Sequence, residues 1–370
     1  MSNIHLKNLD IKQFRGIKDL HLYDFTGINI FTGENNCGKT SVLELISTSG
    51  NPHSPIVWTR LGRSESFPNP TRTIFEKMKD LYPAFDSDLH IEYIKEDDKN
   101  EKADIELKGS ISTEKTIKRE YCKEAHIECE KGEEYAEAEM INLRTDMLYN
   151  GIVSDSFDVR NVTRFDVFVE NVEKPYEKYT VHYISPTEYH NECPVISEIF
   201  RNNESHKELV EVLQLFDSDI LDVVPAVREY SIPFPMESSY QIRSKKYGKL
   251  ISLSVYGDGL KKALWLVTAV LATKNGILLV DEFETAIHTS VMSKLFLWVF
   301  KACKDYNVQL FMTTHSKEAL QKVLELANTS EFENEITLYT LYKKESNTVA
   351  RRLTSQEAYS ADIDFGMELR

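Results

Sequence analysis

The segment that most constrains the fold is GENNCGKT, at residues 33–40. It fits the pattern GxxxxGK[ST] without a mismatch, it follows the apolar run GINIF, and a helical pattern begins at Lys39. Gly33 and Gly38 permit backbone angles that turn several N–H groups toward one anion, and the helix presents its positive end there. A strand, a glycine-bearing turn and a helix in this order predict a phosphate-binding loop in an α/β protein.

Two side chains of this segment add chemistry of their own. Lys39 places a mobile positive charge near the β and γ phosphates of a nucleotide, and the Thr40 hydroxyl is a ligand suited to Mg²⁺. The sequence therefore predicts that the chain binds ATP together with Mg²⁺.

A second apolar run, ILLV at residues 277–280, is followed directly by DEFE. Four apolar residues predict a buried strand, and Asp281 then stands at its carboxyl end, where ligands of open α/β sheets bind. Asp281 is placed to hold Mg²⁺ through water, and Glu282 to orient and polarise an attacking water. Apolar strands that end in acids are also common without any function, so it is the phosphate-binding loop that favours the catalytic interpretation.

A third apolar strand, VQLFMTTHS, is predicted to end on His315. Helices and strands alternate in this part of the chain, which is typical of a parallel α/β sheet, so His315 is expected in the same sheet as Asp281. There it could donate a hydrogen bond to the γ phosphate or to the attacking water. The alternative is a histidine that makes only a structural hydrogen bond.

The stretch SVYGDGLKKAL, residues 254–264, combines two glycines with the start of a long helix. Ser254 or Asp258 is expected to cap this helix, and Gly257 and Gly259 bring its amide groups close to whatever lies in front. A tight turn before a helix is the simpler interpretation. Because one active site already has a phosphate-binding loop, a second anion-facing helix start predicts two subunits packed head to tail.

The order of these motifs is that of ABC-type ATPases: a Walker A loop, a glycine-bearing signature, a Walker B strand and a switch histidine. The signature GDG, the segments FRGIKDL (14–20) and DEFETAIH (281–288), and the closing DFGMELR make the sequence similar to AAA-family ATPases of the OLD (overcoming lysogenization defect) and RecF-like group. The resemblance covers residues 1–50 and 245–370. It implies an α/β fold, namely an ABC-type P-loop ATPase head with a mixed, largely parallel sheet, a strand-rich insertion and a helical insertion.

The resemblance also implies roles for individual residues. Glu282, His315 and Lys39 form the catalytic set, and Thr40 and Asp281 hold the metal. The implied nucleotide-binding residues are Gly33, Asn36, Gly38, Lys39, Thr40 and Ser41. The implied signature residues, which act on the nucleotide of the partner subunit, are Ser254, Gly257, Asp258 and Gly259.

Three further elements of such ATPases are less well determined by the sequence. His288 stands where the group commonly has a histidine near the D-loop. Arg15 either approaches the nucleotide or lies exposed in a hairpin, which is the default for such an arginine. No glutamine is assigned to the Q-loop.

Four regions are predicted along the chain. Residues 1–90 form the first lobe of the head, 91–184 the strand-rich insertion, 185–245 the helical insertion and 246–370 the second lobe. Short alternating runs from LHIEYI to YTVHYI predict antiparallel strands in the strand-rich insertion. The runs ISEIF, ELVEVLQLF and ILDVV have apolar residues three and four positions apart, which predicts helices.

The composition limits where the protein acts. Its 44 basic and 59 acidic residues give a formal charge of −15, which argues against non-specific coating of DNA or an anionic membrane but leaves room for one basic patch. The five cysteines form no CxxC pair, and an odd number cannot all be bridged, which indicates a reducing compartment. No apolar run approaches the length of a membrane span. We therefore expect a cytoplasmic protein with no membrane partner.

The expected function is ATP hydrolysis by a homodimer or a higher oligomer of dimers. Nucleases of the OLD group carry a TOPRIM domain after the ATPase, but few residues follow His315, and Asp362 and Asp364 lie in the terminal tail. We therefore expect no nuclease in this chain. By analogy with the family, we expect a separately encoded effector, a TOPRIM-like or HNH nuclease, in bacterial anti-phage defence systems such as PARIS and Septu.

Two other functions are weighed against this one. A RecF- or SMC-like DNA-maintenance ATPase would clamp DNA with a basic surface, for which RSKKYGK (243–249) and the pair Lys261 and Lys262 are candidates. These residues are otherwise solvated charges or charges that flank the signature. Between Lys39 and Asp281 the chain has strands and short helices where an SMC protein has long heptad arms. A transporter subunit is disfavoured because GDG stands in place of LSGGQ.

Overall fold

The fold combines a central α/β sheet, a second antiparallel sheet and a small third sheet. The computed structural model describes residues 3–61, 73–82, 88–124, 132–161, 168–169, 179–186, 199–225, 240–329, 331–332, 334–345 and 347–361. The strands are β1 (Leu6–Phe14), β2 (Ile17–Leu22), β3 (Ile28–Gly33), β4 (Leu89–Asp97), β5 (Lys102–Ile117), β6 (Glu137–Tyr149), β7 (Ile152–Arg160), β8 (Phe168–Val169), β9 (Val181–Ile184), β10 (Ile220–Pro225), β11 (Tyr240–Ser244), β12 (Leu250–Ser252), β13 (Ile277–Val280), β14 (Gln309–Thr313), β15 (Ile336–Lys344) and β16 (Asn347–Thr354). The helices are α1 (Lys39–Ser47), α2 (Pro55–Thr59), α3 (Ile74–Lys79), α4 (Lys118–Glu124), α5 (Asn203–Leu213), α6 (Asp258–Ala272), α7 (Thr289–Asp305), α8 (Lys317–Ala327) and α9 (Ser355–Tyr359).

The central sheet has the strand order β16-β15-β3-β14-β13-β9. The strands from β15 to β9 run parallel to one another, and β16 joins β15 as an antiparallel neighbour. This arrangement confirms the predicted α/β fold with a mixed, largely parallel sheet. The alternating helices and strands predicted after the signature are confirmed as α6, β13, α7, β14 and α8.

Both faces of the central sheet are buried at β13, which is why ILLV is apolar at every position. Leu278 and Val280 of β13 pack in a core with α6, α7 and α8. Ile277 and Leu279 pack in a second core with α1 and the antiparallel sheet. All four side chains are at most 1% exposed. Each contributes about 1.5–3 kcal/mol through burial, so β13 holds the residue that follows it firmly in place.

The second sheet is antiparallel, with the order β2-β1-β4-β5-β6-β7-β8. This confirms the antiparallel strands predicted between LHIEYI and RFDVFVE, as far as the described residues reach. β4 pairs with β1, with Ile11 opposite Tyr93. The predicted boundary at residues 90–91 therefore falls inside β4, and the strand-rich region continues the sheet of the N-terminal residues. The run AHIECE lies outside the described residues.

Two predicted elements are wrong in type or place. The run YTVHYI does not extend the antiparallel sheet: β9 is the parallel edge strand of the central sheet, with Val181 opposite Ile277. An alternating pattern is the same in both settings, so the sequence did not distinguish them. The run ILDVV is the strand β10, paired with β11, because its β-branched residues favour an extended chain once a partner strand is present.

The helical region is otherwise partly confirmed. ELVEVLQLF lies largely in α5, whose first turn is capped by the Asn202 side chain. Most of ISEIF lies outside the described residues, as do Asp362, Asp364 and the closing DFGMELR. None of the helices in the described part of the chain combines the length and apolar composition that crossing a bilayer requires.

Candidate active site

The strand order brings three predicted motifs to one edge of the central sheet. β3, β14 and β13 are adjacent and parallel, with Met312 opposite both Ile30 and Val280. Their carboxyl ends therefore carry the phosphate-binding loop, His315 and the Asp281–Glu282 pair side by side. A cleft of about 1610 Å³ opens here, and it is lined by Lys39, Asp281, Glu282 and His315 among others.

The phosphate-binding loop requires glycine at both of its ends. Gly33 has φ 133° and Gly38 has φ 103°, which are backbone angles that residues with a side chain rarely adopt. A Cβ atom on Gly33 would also lie 2.0 Å from the carbonyl oxygen of Leu341. Gly38 directly precedes α1, so the first amides of that helix face the loop.

Lys39 is held inside this loop. Its side chain is buried, and Nζ donates hydrogen bonds to the carbonyl oxygens of Gly33 at 2.8 Å and Glu34 at 2.7 Å. The ammonium group thus lies at the centre of the loop's curve. Of the other predicted nucleotide contacts, Asn36 lies in the loop with φ 62° and Ser41 is buried on the first turn of α1.

The predicted metal ligands are in contact with each other. Thr40 Oγ1 donates a hydrogen bond to Asp281 Oδ2 at 2.9 Å, although the two residues are far apart in sequence. Asp281 is 2% exposed and also accepts hydrogen bonds from the hydroxyls of Thr313 and Tyr183. These donors are all oxygen atoms, and a buried carboxylate beside a threonine hydroxyl fits Mg²⁺, which prefers oxygen ligands.

Tyr183 and Thr313 were not identified from the sequence. Tyr183 lies on β9, for which the alternating pattern predicted a place in the other sheet. Thr313 is the last residue of β14, and its only signal was its position two residues before His315. Neither residue type is diagnostic of a nucleotide site, so strand adjacency was needed to find them.

Glu282 and His315 face each other across the strand ends. Oε1 of Glu282 lies 3.9 Å from Nε2 of His315, and the two side chains are 41% and 36% exposed. Glu282 has φ 46°, in the left-handed region, and its Oε2 accepts a hydrogen bond from Thr285 at 3.2 Å. Both side chains can therefore reach the same group in the cleft, which a general base and a hydrogen-bond donor to phosphate must do.

The signature segment lies elsewhere on the surface. Gly257 precedes α6 with φ 84°, and no side chain caps this helix. The prediction that Asp258 caps α6 is wrong: it is the first helical residue, and its Oδ1 accepts from Lys261 Nζ at 3.0 Å. Ser254 lies in the short 3-10 helix Leu253–Tyr256. Gly257, Asp258 and Gly259 are not among the described residues that line the cleft around Lys39.

The two signature glycines have different surroundings. A Cβ atom on Gly259 would lie 2.8 Å from the carbonyl oxygen of Ala286, so this glycine allows α6 to pack against the segment that follows Glu282. A Cβ atom on Gly257 would have no neighbour within 4 Å. Of the two signature glycines, only Gly257 faces open space within one subunit.

Three other predicted residues have structural contacts. His288 caps α7, where its ring accepts from the backbone N–H of Ser290. The default of an exposed Arg15 is wrong, because its side chain is 16% exposed, forms an ion pair with Glu44 and lines the cleft. Lys262 is fully buried, so it is not a solvated charge.

No glutamine lies among the described residues that line the cleft, and the Q-loop glutamine stays unassigned.

The fold and the arrangement of loop, acids and histidine define a P-loop ATPase with the head architecture of ABC-type proteins. The chain belongs to the AAA ATPase domain family, whose pattern matches residues 5–219. The family described as "AAA domain, putative AbiEii toxin, Type IV TA system" matches residues 133–320. The chain is therefore an AAA-family ATPase.

Similarities to individual proteins support the same class, a P-loop ATPase. The chain is 24% identical to an "ATP/GTP phosphatase" of Helicobacter pylori, over 94% of this chain and 95% of that protein. A short segment of 47 residues is 45% identical to the DNA replication and repair protein RecF of Nitrosococcus oceani, which is 13% of either chain. The solved structure of an SMC head bound to the C-winged helix domain of ScpA has a TM-score of 0.51, with 11% identity over 96% of this chain and 99% of that one. That likeness shows a shared fold.

Proposed function

We propose that two copies of this chain pair head to tail around ATP and hydrolyse it. The observation that carries this proposal is the separation of the two phosphate-facing features within one subunit. The loop around Lys39 lines the cleft, whereas Gly257 and the start of α6 lie outside it and face open space. A second copy would bring its Gly257 to the cleft, where the amides of α6 would complete the phosphate site.

The geometry of the site supports the following roles for its side chains. Glu282 accepts the proton of the attacking water, and His315, 3.9 Å away, donates a hydrogen bond to the γ phosphate. Lys39 places its charge beside the β and γ phosphates once they replace the carbonyl groups that it now contacts. Thr40 and Asp281 would hold Mg²⁺, which when bound would neutralise charge on those phosphates.

Hydrolysis in this proposal regulates a separately encoded effector in bacterial anti-phage defence. One matching family is described as a putative toxin of a type IV TA system, which supports a role beside a second component. The resemblance to the OLD group supports the same idea. A TOPRIM-like or HNH nuclease is the expected effector, and this chain supplies the ATP-dependent control.

Purified protein is expected to leave plasmid DNA intact with Mg²⁺ or Mn²⁺ and ATP. Protein isolated from cells that carry its native gene neighbourhood is expected to bring a second protein with it and to cut DNA. Gel analysis of the plasmid and mass spectrometry of the bound protein check both results. The Glu282→Gln variant is the control for dependence on hydrolysis. Robust cleavage by the pure chain would contradict a separate effector.

A second function, a RecF- or SMC-like DNA clamp, is favoured by one surface feature. The hairpin of β11 and β12 exposes Arg243, Lys245, Lys246 and Lys249, and residues 240–257 contain no acidic residue. Tyr247 is 45% exposed at its tip, with Lys246 Nζ 5.4 Å from the ring centroid. Cations beside an exposed aromatic ring are suited to phosphates and stacked bases. Lys262, by contrast, is buried and is not part of this surface.

The clamp function predicts DNA binding that requires ATP and weakens with salt. Replacing Lys245, Lys246 and Lys249 with alanine would then lower the slope of log affinity against log salt by about 0.9 for each lost phosphate contact. Fluorescence anisotropy at several salt concentrations measures this slope. Alanine at three exposed lysines elsewhere, Lys102, Lys115 and Lys207, is the matched control. Equal slopes for both triple variants would exclude the hairpin as a DNA contact.

A further inference from the structure

The ends of β13 and β14 are joined by two side chains to which the sequence analysis assigned no role. One is Thr313 at the end of β14, which reaches across to the residues after β13. The other is Glu284, after β13, which reaches across to the residues after β14. Each side chain therefore belongs to one strand end and forms hydrogen bonds with residues at the end of the other strand.

Thr313 holds both members of the acidic pair. Its Oγ1 accepts a hydrogen bond from the backbone N–H of Glu282 at 2.8 Å and donates its own proton to Asp281 Oδ1. The side chain is fully buried, so these two bonds are not exchanged with water. Glu282 has φ 46°, a conformation that costs free energy for a residue with a side chain and persists only where contacts impose it. The Thr313 hydroxyl is one such contact.

Glu284 holds the segment of the histidine. Its Oε1 accepts hydrogen bonds from the backbone N–H groups of His315 and Ser316, both at 3.1 Å. Ser316 in turn caps α8 through the N–H of Ala319. Oε2 of Glu284 is buried and accepts no hydrogen bond from the described residues. Burying a carboxylate oxygen without a partner is unfavourable, so the two bonds of Oε1 must outweigh that cost.

We propose that Thr313 and Glu284 are positioning residues, which together set the distance between Glu282 and His315. The proposal rests on the catalytic roles proposed above for these two residues. Neither Thr313 nor Glu284 touches substrate; each acts through the backbone of the residue that does. The hydrogen bonds of Thr313 and Glu284 both link the end of β13 to the end of β14, one from each strand. Loss of either set therefore lets Glu282 and His315 move apart.

The test compares a disruptive and a conservative variant at each position. Thr313→Val keeps the shape and removes the hydroxyl, whereas Thr313→Ser keeps the hydroxyl. Glu284→Met removes both acceptors, whereas Glu284→Gln keeps one. We expect Thr313→Val and Glu284→Met to lower kcat by about 10- to 100-fold, since small displacements of catalytic groups have effects of this size. The conservative variants should stay within about threefold of wild type, as should the ATP affinity of all four.

A second measurement does not depend on activity. Hydrogen exchange of the nucleotide-free protein is expected to accelerate at the amide of Glu282 in Thr313→Val, and at His315 and Ser316 in Glu284→Met. Faster exchange with an unchanged kcat would overturn the positioning role. Equal losses of kcat and melting temperature in the disruptive and conservative variants would show a merely structural role and overturn it too.

Different results would contradict the proposed catalytic mechanism and the positioning role of Thr313 and Glu284. Wild-type protein without ATPase activity, or a fully active Glu282→Gln variant, would remove the proposed mechanism. An active wild type and an inactive Glu282→Gln, together with wild-type turnover in Thr313→Val, would remove only the positioning role.

Discussion

Replacing Glu282 with glutamine is expected to lower ATP turnover by about 10²- to 10⁴-fold, the range that a general base contributes. A carboxamide cannot take the proton of the attacking water. It keeps the length of the side chain and can still accept the hydrogen bond of Thr285, so the surrounding structure is preserved. ATP binding should stay within about threefold, because Lys39 and the phosphate-binding loop are untouched.

The same variant tests the assembly. If hydrolysis releases a head-to-tail dimer, Glu282→Gln in saturating ATP should stay dimeric, whereas the nucleotide-free protein should be largely monomeric. Light scattering coupled to size exclusion measures the mass, and phosphate release measures the turnover. Glu345→Gln is a matched control, since Glu345 is also an exposed glutamate with positive φ, at 59°. A monomer at saturating ATP would contradict the paired arrangement.

The site was predictable to the extent that local chemistry determines it. GENNCGKT specifies its own conformation, because Gly33 and Gly38 adopt angles that other residues avoid and Lys39 bonds to the loop that carries it. The apolar run before Asp281 specifies a buried strand end. Each of these features is encoded within about ten residues, and each was found where the sequence placed it.

What the sequence did not determine is which strand lies beside which. β9 has an alternating pattern that suits an edge strand of either sheet, and only pairing with β13 brings Tyr183 to Asp281. In the sequence Lys262 is indistinguishable from its neighbour Lys261, which is partly exposed and paired with Asp258, yet the helix turn places Lys262 in the core. Thr313 and Glu284 are ordinary residues whose importance depends on the parallel register of β13 and β14. Long-range pairing of this kind is not contained in a local pattern.

The largest effect expected at the signature is the loss of hydrolysis in Gly257→Trp. Within one subunit a Cβ atom at this position has no neighbour within 4 Å, so we expect the fold to survive apart from about 1–3 kcal/mol of backbone strain. In the dimer it would stand between α6 and the γ phosphate of the partner subunit. ATP binding to the Lys39 loop should therefore be retained. Gly248→Trp is the matched control, because Gly248 also has positive φ and open space around its Cβ position.

Mixing two inactive variants tests whether the signature acts on the other subunit. Lys39→Ala lacks a working phosphate-binding loop, and Gly257→Trp lacks a working signature. In a mixed head-to-tail dimer, one site combines the intact loop of one chain with the intact signature of the other, while the second site has neither. Random pairing should therefore restore about one quarter of wild-type turnover, measured as phosphate release from an equimolar mixture. Each variant alone should stay inactive. No recovery in the mixture, or a Gly257→Trp variant that loses ATP binding along with hydrolysis, would make GDG an ordinary turn before a helix.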